Sequence, residues 1–342
     1  MYVVSVGTNP ASPGVTLWLL PDQVAFARRL LTLAGCHAVR VGCPLKGQSV
    51  ASAMDAEPFD DLRAELAAPQ APITLLLTAQ GFAEGDAAPD DLRALGATSP
   101  GVRTRVVSLE PVPSGIDALL QSARFLSPDQ VPQMLALPRR CPSLLAGQDW
   151  IESLGGVKAA SLRCWARPGE GTLAALLTRA FDLLMSTMGE PESIDASFIQ
   201  PGTVRGLHAA PGETLAGLEG AAAGIARFAD GRCASFFAHD RAAATGFEAT
   251  LVGPGGQLAL DPSSCTWRGR ADPGQQWGTP DEGSATERQI AQELIAAVQG
   301  DGSTLPPISI EQLLVMGQTS LLSTRTGVPE SPETIRKMSR AT

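Results

Sequence analysis

The sequence predicts two units in series: an α/β unit on a parallel sheet, then an α+β unit on an open, mainly antiparallel sheet with helices on one face. Two observations carry this. Over the first third of the 342 residues, short apolar runs alternate with segments of helical spacing, the pattern of strands joined by helical crossovers. After roughly residue 125 the pattern changes, to short helices and then closely spaced short strands with Asp-Gly and Gly-Gly turns, closed by two amphipathic helices, which is hairpin chemistry.

The elements follow in order. Residues 2–6 form a strand-like apolar run ending at Gly7. Residues 21–34 place Val24, Ala27, Leu30, Leu31 and Ala34 at helical spacing, with Gly35 set to cap them. Strands are expected at 38–41, 73–78 and 105–109, and short helices at 59–66 and 90–95. Ser127-Pro-Asp-Gln reads as a helix start with Ser127 as N-cap. A short helix at 148–154 ends at Gly155-Gly156, and 157–165 is a strand. Residues 173–188 form an apolar helix stopped by Gly189, followed by a strand at 193–199. Segments 221–228 and 233–238 flank Ala229-Asp-Gly-Arg232, with further strands at 248–252, 257–260 and 265–268. Helices at 286–299 and 310–324 close the fold. The expected boundaries are 1–125, 126–330, and a loosely held tail at 331–342.

A net charge of −9 argues against general nucleic-acid or anionic-membrane binding, since both surfaces would repel it. With one tyrosine and 5% aromatics, an aromatic platform for single strands is not expected. The six cysteines form no CxxC pair, and the three histidines, His37, His208 and His239, are far apart in sequence. No metal site is expected from that spacing, and reduced thiols fit best. The start of the chain has no charged leader, and no run approaches the roughly 18 apolar residues of a spanning helix. A cytoplasmic protein is the expectation.

Several segments resemble one family. Gly171-Thr-Leu-Ala-Ala-Leu-Leu-Thr-Arg-Ala-Phe-Asp182, followed by Gly189-Glu-Pro191 and a strand, resembles the helix of the Gfo/Idh/MocA oxidoreductases that carries a catalytic histidine and aspartate. The hairpin Gly224-Ile-Ala-Arg-Phe-Ala-Asp-Gly-Arg-Cys-Ala-Ser235, the strand pair from Phe247 to Leu260, and the ending Leu321-Leu-Ser-Thr-Arg-Thr-Gly327 are similar to its later elements. The resemblance implies a Rossmann-like first domain, NAD or NADP as cofactor, a sugar, polyol or related hydroxylated substrate, and a homo-oligomer formed through the open sheet.

The chain departs from the family at its chemistry. Asp182 matches the final aspartate, but Arg179 stands at the histidine position and Ala175 at the first aspartate. The Glu-Lys-Pro motif is similar to Glu110-Pro111 without its lysine. A guanidinium cannot shuttle protons near neutrality, although Arg179 can pair with Glu110 or Asp182, or bind an anion. The candidate catalytic residues are therefore Glu110, Arg179 and Asp182. For the cofactor, Gly7 and Thr8 open the loop Val6-Gly-Thr-Asn-Pro-Ala-Ser-Pro-Gly14, where Pro10 and Pro13 remove amides that a pyrophosphate would need. Arg40 stands in for a 2′-phosphate partner and Thr78 for a nicotinamide-ribose contact. His208 is a lesser candidate from a loop. Trp165 and Trp267 fit a core or a dimer face. A dehydrogenase, a degenerate relative serving as a binding, regulatory or assembly module, and a redox-neutral enzyme binding an anionic substrate through Arg179 all stay open.

Overall fold

The computed structural model describes residues 12–45, 47–83, 88–96, 104–122, 126–127, 130–199, 214–270, 274–279, 285–300 and 309–341. The expected strand at 2–6, Gly7, Thr8 and His208 lie outside them.

The first unit is built from β1 (Gly14–Trp18), α1 (Val24–Ala34), β2 (His37–Gly42), α2 (Gly47–Ala53), β3 (Glu57–Phe59), α3 (Leu62–Ala67), β4 (Ile73–Leu76), α4 (Ala88–Gly96), β5 (Arg105–Ser108), α5 (Ile116–Ser122) and β6 (Gln133–Met134). All its strand pairs are parallel, in the order β3-β2-β1-β4-β5-β6. That is the doubly wound order, with its switch point between β1 and β4. Gly35 ends α1 in the left-handed conformation at φ 62°, as its lack of a Cβ allows.

Three expectations are corrected here. The strand in the first-strand position is Gly14–Trp18, so the strand-to-helix turn is 19–23 and not the glycine-proline loop before it. Val15-Thr-Leu-Trp-Leu-Leu is the longer apolar run, and the helix of 21–34 needs its strand immediately upstream. The helix expected from Ser127 is not found at the described residues 130–132, which lead into β6: Gln130 N–H donates to the Ser127 carbonyl at 2.9 Å, and Pro132 favours an extended residue before it. That sixth strand also carries the parallel sheet past residue 125.

The second unit contains α6 (Pro142–Ala146), α7 (Gln148–Ser153), β7 (Ala159–Trp165), α8 (Leu173–Met188), β8 (Ser193–Ile199), β9 (Ala221–Arg227), β10 (Cys233–His239), β11 (Gly246–Gly253), β12 (Gly256–Leu260), β13 (Ser264–Gly269) and β14 (Gln275–Gly278); α9 (Ala285–Gln299) then returns to the core of the first unit, where Ile290, Ala291, Leu294 and Ala297 pack with α1, and α10 (Ile310–Thr326) and α11 (Pro332–Ala341) close the second unit. The strand order is β14-β13-β12-β11-β7-β10-β9-β8, antiparallel except where β10 lies parallel to β7. Alternate residues of these strands point into a core shared with α8 and α10. α8 packs there on most of its circumference, which is why its sequence is apolar all round. On the opposite face Ile199, Ile225, Phe237 and Val252 stay exposed.

The expected loose tail is a helix. Ile335 is buried and Arg336 grips Glu190 with two hydrogen bonds of 2.6 Å. Pro332, at the first helical position, starts the helix where a proline is tolerated. Among the described residues no helix is long and apolar enough to cross a membrane.

Candidate functional site

The two units meet at the carboxyl ends of β4 and β5, the expected ligand position in an open α/β sheet. A cavity of about 80 Å³ lies there, and its described lining includes Thr78, Gln80, Glu110, Ser114, Thr172 and Glu219. Thr78 accepts the Gln80 N–H at 3.1 Å, while the Glu110 carboxylate accepts the Ala79 N–H at 2.6 Å. Thr172 caps α8 by accepting the Ala175 N–H at 3.3 Å. Glu219 pairs with Arg241 at 2.9 Å at the rim. Among the described residues no histidine, lysine or arginine lines the cavity.

Thr78 and Glu110 thus come together, and Arg179 and Asp182 do not join them. Neither proposed pairing of Arg179 forms. The Asp182 carboxylate instead accepts the Arg139 backbone N–H at 3.0 Å and faces Arg139 Nε at 3.2 Å. Burial pushes Asp182 up to about 6, against the pull of Arg139. Arg179 is only 5% exposed, and its Nε and Nη2 have no hydrogen-bond partner. Burial lowers its pKa, and the thiol beside it, Cys164, is pushed by burial up to about 12 and stays neutral.

Arg40 sits in the middle of β2, opposite Thr16, and not at the strand end. It pairs with the buried Glu65 and stacks over Phe59 at 5.4 Å. Glu65 in turn accepts the Thr16 hydroxyl at 3.2 Å. Trp267 is buried in the second core, and Trp165 is half-buried on the open face of the sheet.

The residues at the dinucleotide position can now be tested for fit. A pyrophosphate needs a glycine turn and free amides at the start of the first helix. Here the turn is Leu19-Leu-Pro-Asp-Gln23, without a glycine. Pro21 has no N–H, and Asp22 adds a carboxylate that would repel a phosphate. The Gln23 side chain fills the turn, accepting the Leu20 N–H at 2.8 Å and donating to the Leu77 carbonyl at 3.2 Å. Gly169 then covers it: a Cβ on Gly169 would lie 2.5 Å from the Asp22 carbonyl oxygen.

The adenosine side is filled too. At Gly42, the end of β2, a Cβ would meet Phe59 at 2.5 Å and Trp18 at 2.6 Å. Trp18 stacks on Phe59 with centroids 5.8 Å apart and donates its indole N–H to the Gln80 carbonyl at 3.1 Å. Above it, a Cβ on Gly81 would lie 3.0 Å from Pro44, so the loops after β2 and β4 meet across β1. The described residues do not fit a nicotinamide dinucleotide in the position the fold provides.

Sequence reasoning does not find the residues that close this crevice: Trp18, Gln23, Gly169 and Glu219. The apolar run 15–20 is the available signal for the first two. Nothing local in sequence marks Gly169, whose role depends on the second unit reaching the first.

No protein-family model and no curated protein sequence matches the chain. Solved structures do. A levoglucosan dehydrogenase in complex with NADH and levoglucosan superposes with a TM-score of 0.66 at 14% identity, covering 94% of this chain and 99% of the other. An NAD-binding oxidoreductase from Klebsiella pneumoniae gives 0.64 at 14% identity over 94% and 99%. The WlbA dehydrogenase from Chromobacterium violaceum, in complex with NADH and UDP-GlcNAcA, gives 0.61 at 14% over 96% and 99%. From first strand to closing helices, the chain has the two-domain fold of the Gfo/Idh/MocA-type oxidoreductases.

Proposed function

We propose that this chain is a non-redox relative of those oxidoreductases, a binding or regulatory module whose interdomain cavity takes a small hydroxylated ligand. The observation that carries this is the turn of 19–23, which has no glycine, is filled by Gln23 and is covered by Gly169. Hydride transfer also needs a proton shuttle for the substrate hydroxyl. The described lining offers Glu110, whose carboxylate already accepts the Ala79 N–H. Size points the same way: about 80 Å³ is well below the roughly 300–1,000 Å³ of sites that hold drug-sized ligands or cofactors. At ~10–15 Å³ per water position it suits a molecule of a handful of heavy atoms.

A second reading, an NAD- or NADP-dependent oxidoreductase of a sugar or polyol, is favoured by two observations. Thr78 and Glu110 stand together at the strand ends, and the fold is shared with proteins solved with NADH and sugars. Reception of an anionic substrate by Arg179 has less support, because Arg179 does not line the cavity. We assign self-association to the open sheet face around Ile225 and Phe237; sedimentation at rising concentration tests it, and a monomer throughout would refute it.

The experiment for the function is a panel of small polyols and sugars, each with NAD or NADP. The expected outcome is a rise in Tm with at least one polyol and no reduced nicotinamide from any combination. Steady production of reduced nicotinamide would establish the second reading.

A further inference from the structure

The turn between β7 and α8 reaches out of the second unit and lies on the start of α1. Besides the contact of Gly169 with the Asp22 carbonyl, a Cβ on Gly169 would stand 3.5 Å from the Gln23 nitrogen, and Gly169 itself has φ +78°, which favours glycine. The next residue, Glu170, is 6% exposed. Arg29, in the second turn of α1, donates to it at 2.5 Å, and the Thr245 hydroxyl donates to its other oxygen. Arg167 stands 3.6 Å from the same carboxylate, and its own backbone N–H donates to Thr245 at 3.0 Å. Arg29 also holds Glu287 of α9, at 2.9 and 3.1 Å.

We propose that residues 167–171 are an intramolecular plug in the place a dinucleotide pyrophosphate would take, with Arg29 as its latch. A helix start favours an anion. Here Gly169 covers the helix start, and the carboxylate of Glu170 meets the same helix one turn later, through the side chain of Arg29. Arg29 joins three segments far apart in sequence: through Glu287 it holds α9 on α1 within the first unit, and through Glu170 it fastens the second unit to the first. In a dehydrogenase the same cleft must open to exchange a dinucleotide; this one is tied shut. The proposal deepens the non-redox reading above and rests on it.

Hydrogen exchange on the intact 342-residue chain tests both separately. In Arg29→Ala, amides of 20–26 and 167–173 should exchange at least tenfold faster, with β7, β10 and β11 unchanged. Arg29 is partly exposed, so the fold should survive its loss. Gly169→Ala, which pushes the turn off Asp22, should give the same signature, together with cleavage by trypsin after Arg167. Unchanged exchange in both variants would overturn the latch while leaving the non-redox reading intact. Protection of 19–26 in the wild type on adding NADH would overturn that reading directly.

Discussion

Asp182 pairs with Arg139 and leaves Arg179, one turn earlier on the same helix, with Nε and Nη2 buried and without a hydrogen bond among the described residues. Residues three apart on a helix can meet, yet the 3₁₀ turn Pro138–Arg140 packs against α8 and presents both a backbone N–H and a guanidinium to the carboxylate. The sequence spacing is compatible with either pair, and tertiary packing decides between them.

Two buried guanidinium nitrogens without hydrogen bonds cost stability. Arg179→Met, which keeps the length of the stem and removes the charge, should stabilise the protein by about 1–3 kcal/mol, the cost of leaving a buried polar group unsatisfied. Chemical denaturation measures it. A loss of stability would mean that Arg179 has an anionic partner in solution.

The raised pKa of Asp182 gives a pH dependence of known sign. Its value in the folded protein is about 6, above the ordinary 3.8, so the folded state holds the proton more tightly than the unfolded one. The associated stability is fully present below pH 4 and is lost as pH rises through 6. Between pH 4 and 7 the wild type should lose of the order of 2–3 kcal/mol relative to Asp182→Asn. Parallel stability curves for the two proteins would show that Asp182 is ionised throughout.

Much of the second unit is legible in sequence. α8 and β8 lie at the expected residues because Gly189 stops one and Pro191 starts the other, and the Asp-Gly turn at 230–231 sets the β9–β10 register. The first unit is legible as a class but not at its opening: glycines before β1 attract the eye, while the strand that matters has none after it. The site is the least legible part. Thr78 and Glu110 follow strand ends and can be read; the Gly169 cover and the Arg29 bridge to Glu170 and Glu287 span more than a hundred residues, and local pattern carries no trace of them.

The filled adenosine position is tested at Gly42. Adding a methyl there places it against Phe59 and Trp18. Gly42→Ala should therefore destabilise by about 1–3 kcal/mol through overpacking and quench or shift tryptophan fluorescence. A variant as stable as wild type would mean that the space beneath those rings is open.

The most direct test of the central claim is a fluorescence titration of the intact protein with NADH and with NADPH. No saturable signal up to millimolar cofactor is the expected result, since the turn at the pyrophosphate position is filled by Gln23 and covered by Gly169. Saturable binding of either cofactor in the micromolar range would contradict it and return the chain to the dehydrogenases whose fold it shares.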